Sequence, residues 1–217
     1  MKKQNLVDAI QGFLASDAAG DAKGMYHPEE IKVWMNSAFN AIIYNAWRNG
    51  KKFNEFSQID AWSKTYEVSL VQVGTTGHAF LPFAPVALPD GMSIRQIADH
   101  DDNSTVFAPM EATANVVFAE LEVNTMDQTP TYWMEQNNLN TGAGEESHLL
   151  RLGKLPVAPA TVITDLDVMM VQNLEQMDDF DDISIPENGE DGIMRAVLDI
   201  MSKKPVPDNA NDAVITK

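Results

Sequence analysis

The residues best placed to do chemistry crowd one window, "QMDDFDDISIPENGEDGIMRAVLDIMSKKP" at 176–205, which holds Asp178, Asp179, Asp181, Asp182, Glu187, Glu190 and Asp191. Clustered carboxylates suggest a divalent cation, yet a calcium loop needs oxygen ligands at alternate positions with glycine at the sixth, and this window lacks that spacing. A helix entrance explains more of it. Pro186 stands near a first turn, and Glu187, Glu190 and Asp191 meet the positive end of the helix dipole. Ile193, Val197, Ile200 and Met201 recur on one face, and Lys203 and Lys204 meet the negative end before Pro205. The window therefore reads as a strand end, an acidic turn and a docked helix.

A second set, Asp99, Asp101, Asn103 and Thr105, does alternate like calcium ligands. Ser104 stands where glycine is wanted, however, and Met110 where the bidentate glutamate belongs, so a polar turn between strands is expected. The four histidines, His27, His78, His100 and His148, are scattered singly and give zinc no pair at helical spacing. His27 reads as a residue just outside a helix. Without cysteine the chain has no disulfide, thiolate metal site or cysteine nucleophile, which fits a reducing compartment. There is no phosphate-binding loop, nucleophile elbow or dinucleotide fingerprint. "TGAGEES" is a turn, and Met169 and Met170 suit a core better than a cofactor. No cofactor, metal or catalytic set is expected.

The elements around these residues read as α+β. Leu6, Ile10, Phe13 and Leu14 give a short amphipathic helix over 4–16, followed by the small and acidic linker "SDAAGDAKG". "HPEEIKVWMNSAFNAIIYNAWRNG" predicts a long helix, with Pro28 in its first turn, Glu29 and Glu30 at its positive end and Gly50 as its stop. Its stripe of Ile31, Trp34, Met35, Ala38, Ile42 and Ala46 is widened by Phe39, Ile43 and Trp47, so cover on more than one side is expected. The period then falls to two in "KTYEVSLVQV". Pro82, Pro85 and Pro89 make "GHAFLPFAPVALPDG" an edge strand or extended chain. Short strands follow at "IRQIAD" and "STVFAP", with a helix at "MEATANVVFAEL". "TPTYWMEQNNLNTGAGEESHLLRLG" reads as two strands about a turn, and "TVITDLDVMMVQNL" as a long strand. The expected architecture is helices at both ends on a mostly antiparallel β-rich body. It is one domain over 1–217, with a helix and linker at 1–25, a body at 26–203 and a tail at 204–217.

With 32 acidic against 15 basic residues the net charge is −17, a surface that repels phosphate rather than gripping it. No apolar run reaches the roughly 20 residues a membrane helix needs, and the opening "MKKQNLVDAIQGFLASD" gives no signal peptide, so a soluble protein is expected.

The order of segments carries a resemblance. "HPEEIKVWMNSAFNAIIYNAW", "AFLPFAPVALPDGMSIRQI", "STVFAPM", "TYWMEQNNL" and "MDDFDDISIPENGEDGIMRAVLDIM", over about residues 27–203, resemble ring or adaptor (head-to-tail connector) virion proteins of crAss-like tailed bacteriophages. The resemblance implies a non-enzymatic homo-oligomeric ring of about a dozen copies in the neck of the virion. Its partners would be the portal protein and neighbouring neck or tail rings, with genomic DNA passing through without specific binding. In such a ring the helices would form the subunit wall, with Trp34, Phe39, Trp47, Ile193 and Val197 at packing interfaces inside or between subunits. The rival readings are another virion part, such as a tail fibre adaptor or capsid-associated protein, and a metal-dependent hydrolase using the acids near Asp99 or Asp178.

Overall fold

A computed structural model describes residues 1–17, 27–53, 55–89, 92–102, 105–110, 129–136, 148–157 and 162–202. The fold is α+β. The chain order is α1 (Lys3–Asp17), α2 (Pro28–Phe53), α3 (Ser57–Asp60), β1 (Ser63–Val73), β2 (Thr76–Phe80), β3 (Ile94–Asp99), β4 (Ala108–Pro109), β5 (Thr131–Gln136), β6 (His148–Gly153), β7 (Asp165–Val171) and α4 (Gly189–Ser202). The single domain read from the sequence packs as two compact units. One joins Met1–Asn45 to the chain from Asp178 onward, and the other is Ala46–Met177.

The second unit is a seven-stranded sheet in the order β3-β7-β1-β2-β6-β5-β4. Its two edges meet through the residues leading into β4. Val106 bridges Ala98 of β3, and the Phe107 N–H donates to the Ile97 carbonyl at 3.0 Å. One residue later the Ala108 N–H donates to the Pro130 carbonyl, beside β5, at 2.9 Å. The sheet is thus closed and barrel-like, which removes the open edges that would otherwise template aggregation. Closure of an odd number of strands cannot be antiparallel throughout, because alternation fails once around the ring. Among the described residues the single parallel pair is β4 with β5. Ser16 and Asp17, expected in the linker "SDAAGDAKG", end α1 instead, and the rest of that linker, the helix expected at "MEATANVVFAEL" beyond Met110 and the tail after residue 202 lie outside the described residues.

The interior is built by alternation. β1 buries Val68 and Leu70 and turns Glu67, Ser69 and Val71 outward, and β7 buries Leu166, Val168 and Met170. Gly77 faces inward, where an added Cβ would lie 2.8 Å from both Leu70 and Leu155, so the wall there has no room for a side chain. The β1–β2 hairpin turns at Gly74, whose φ of +63° suits a glycine-first two-residue loop. Of the edge strand or extended chain expected here, the edge strand is not found and the extended chain is, after an interior strand. β2 pairs with β1 on one side and β6 on the other, and the prolines begin only after it ends. The following "LPFAPVAL" is extended chain burying Leu81, Phe83, Val86 and Leu88, with Phe83 edge-on to Tyr66 at 5.2 Å.

A bulge in β3 between Ile94 and Gln96 re-aims Arg95. Its Nε donates to Asp60 Oδ1 of α3 at 2.6 Å, and its guanidinium stands 5.5 Å from the Phe56 ring.

α2 starts as expected and ends later. His27 is its N-cap, and both halves of a capping box are present. The Glu29 N–H donates to His27 Nδ1 at 3.3 Å, and the His27 N–H donates to Glu30 Oε2 at 3.4 Å. Gly50 does not stop the helix, which runs to Phe53 and is closed by the Glu55 N–H donating back to the Gly50 carbonyl at 3.0 Å. The glycine is required for close approach instead. A Cβ there would sit 2.6 Å from Phe56 and 2.7 Å from the Glu55 carbonyl oxygen.

Candidate functional site

The acidic window resolves into a docking edge within the first unit. Asp178 and Asp181 close a turn on themselves. The Asp181 N–H donates to the Asp178 carbonyl at 3.1 Å, and the Asp178 N–H donates to Asp181 Oδ2 at 2.9 Å. Against the far side of that turn lies the start of the chain, with Lys2 and Asp182 as antiparallel bridge partners. The Lys3 N–H donates to the Asp181 carbonyl (3.1 Å), the Gln4 N–H to the Asp179 carbonyl (2.9 Å) and the Ile183 N–H to the Met1 carbonyl (2.7 Å). The first amides of any helix lack intrahelical acceptors, and here the acidic turn supplies them to α1 through its backbone.

Charge reinforces this seam. Asp179 accepts from Lys32 Nζ of α2 at 2.7 Å and stands 4.0 Å from Lys3 Nζ. Asp179 and Glu29 raise the Lys32 ammonium above its ordinary value by hydrogen bonding. Burial lowers Lys3, against the pull of Asp179, and its side chain is almost wholly covered. In this turn the Asp179 carboxylate meets two ammonium groups and the Asp181 carboxylate a backbone amide.

Of the second acidic set, Asp99, Asp101 and Thr105 are described at and just after the end of β3, and Asn103 lies outside the described residues. Buried Asp99 accepts the Asp101 N–H at 3.1 Å, and the Thr105 N–H donates to the Asp102 carbonyl at 3.0 Å. His100 Nδ1 lies 2.9 Å from Asp167 Oδ1 of β7, and that carboxylate raises the imidazole above its usual range. Burial alone lowers His148, at the start of β6.

Trp34, Phe39, Trp47, Ile193 and Val197 are all buried within the single chain, none more than 8% exposed. They pack inside the chain, and exposed apolar side chains lie instead on the outer face of the sheet. Strand register aligns Val71, His78, Arg151 and Trp133 in one row across β1, β2, β6 and β5. Val71, Val73 and Phe80 are 50%, 72% and 42% exposed. The His78 ring packs edge-on to Phe80 at 5.6 Å. Between Val73, His78, Trp133 and Arg151 lies a shallow hollow of about 310 Å³. The signal for this strip was present in "KTYEVSLVQV", whose outward set runs Thr65, Glu67, Ser69 and then turns apolar at Val71 and Val73.

No protein-family model, curated protein or solved structure matches the chain. Among the described residues no helix is long and apolar enough to cross a membrane.

Proposed function

We propose that the protein is a structural ring component of a tailed-phage neck, assembling in about a dozen copies between portal and tail and acting by assembly rather than by catalysis. The observation that carries this reading is the apolar strip on the outer face of β1 and β2. Exposed apolar side chains gathered on one face are the kind of surface that a protein partner covers. Strand-to-strand contact through such a strip would join neighbouring copies without using the buried tryptophans. The motif order that resembles phage connector proteins supports the same reading, since its segments fall on α2, the turn into β3, β4, β5 and α4.

The acidic excess suits a channel through which DNA passes without adhering, because affinity for phosphate needs clustered Lys and Arg. The portal and the adjoining neck or tail rings are the partners this reading requires, and the virion is where it acts.

Val73→Asp tests the strip. At a 72% exposed position the substitution should change folding stability by no more than about 0.5 kcal/mol. It should nevertheless abolish assembly with the portal protein from the same genome, measured by light scattering after size exclusion. A variant that assembles as well as the parent protein would remove the strip from the interface.

A further inference from the structure

The seam between residues 1–4 and 179–183 has an acceptor side whose shape does not depend on its donor. The Asp178–Asp181 turn closes on itself, and Lys32 of α2 already neutralises Asp179. What the N-terminal arm adds is two amide donors, one carbonyl acceptor and the fully buried Leu6 and Val7. The arm cannot stay undocked, because that would expose these side chains and leave the Asp179 and Asp181 carbonyls and the Ile183 N–H as an open edge. The acceptor need not belong to the same copy, however. Residues 18–27 join α1 to the first turn of α2, and ten residues reach roughly 33–36 Å when extended, about the width of a small domain.

We infer that the N-terminal arm, residues 1–17, is an exchangeable element that docks on the 179–183 edge of a second copy of this chain. Exchange remakes every contact of the closed form, so its cost is small. A short linker holds the arm near its own edge at an effective concentration on the order of millimolar, so self-docking prevails in dilute solution. Where copies stand side by side, the neighbouring edge is equally near. Passed in one direction around the proposed ring, the exchange would link each subunit to the next. That location rests on the ring reading, whereas the exchange itself does not.

The absence of cysteine makes a clean test possible. Lys2 and Asp182 face each other as a non-hydrogen-bonded antiparallel pair, the geometry in which side chains approach most closely and a disulfide can form. The double variant Lys2→Cys/Asp182→Cys should close within one chain when oxidised in dilute solution. Lys2→Cys and Asp182→Cys chains, refolded together at about 1 mM and oxidised, should give a covalent dimer, with yield falling about tenfold on tenfold dilution. Lys2→Cys refolded with Asp191→Cys, an exposed position off the seam, measures random collision. Dimer no more abundant than in that control would overturn the exchange, and so would failure of the double variant to close. Scattering mass on the same chains with the portal reads the ring separately. A ring without the cross-link refutes exchange alone, and the cross-link without a ring refutes the ring reading alone.

Discussion

Gly50→Ala reverses the usual sign of a helix substitution. Within a helix, alanine is favoured over glycine by about 1 kcal/mol, because glycine loses more backbone freedom on folding. Gly50 lies inside α2, three residues before its end, so propensity alone predicts stabilisation. The new Cβ would meet Phe56 at 2.6 Å and the Glu55 carbonyl oxygen at 2.7 Å. The ring could turn aside, but the carbonyl belongs to a backbone segment tied by its own N–H to the Gly50 carbonyl. Relief therefore requires the chain after α2 to move, and overpacking of this kind costs about 1–3 kcal/mol. The net expectation is a loss of about 1 kcal/mol, within a range of about 0–2, lowering the urea midpoint by about 0.5 M for a slope near 2 kcal/mol/M. Gly12→Ala in α1 and Gly192→Ala in α4 are the controls, since nothing lies within 4 Å of a Cβ at either site. Both should be neutral or stabilising. A raised midpoint for Gly50→Ala would refute the close-approach explanation and leave propensity in charge.

Asp179→Asn removes the charge that Lys32 and Lys3 share, so the Lys3 and Gln4 amides should exchange with deuterium faster, whereas Asp191→Asn should leave them unchanged. Gly74→Ala forces a side chain into φ +63° at the β1–β2 turn and should cost about 1–2 kcal/mol by denaturant titration. The two shifted histidines should act oppositely with pH. The His100–Asp167 pair contributes stability that is fully present below the ordinary 6.5 and is lost as pH rises through the raised folded value. His148, held neutral by burial, withdraws stability as pH falls below 6.5 because the unfolded chain takes up the proton first. NMR titration of the two rings should find His100 above and His148 below the ordinary value, and the reverse order would contradict both causes.

Periodicity made much of the fold legible. The 3.6-residue stripe of α2 and the two-residue alternation of β1 and β7 are local patterns, written where they act. Other features depended on partners distant in sequence. Gly50 reads as a stop because glycine commonly follows a helix end, but its reason is Phe56 and Glu55 folding back over it. The proline-marked stretch suggested an edge, yet its first residues form an interior strand, because nothing in "GHAF" shows that β6 will pair with it some 70 residues later. Closure of the sheet joins a near partner to a distant one, since Val106 bridges Ala98 eight residues back while Ala108 pairs with Thr131 of β5. The acidic window reads as a helix entrance from its charges. Its service as the acceptor for the first residues rests on backbone groups, which every sequence has and none displays. The tryptophans attract attention as interface residues by size alone, whereas the exposed strip is marked only by two valines on the polar side of β1.

Assembly is read most directly from the light-scattering mass of the chain after size exclusion, alone and mixed with the portal protein of the same genome. The mixture is expected to form a portal-bound ring of about a dozen copies. A chain whose mass is unchanged by the portal, at concentrations where both are folded, would contradict it.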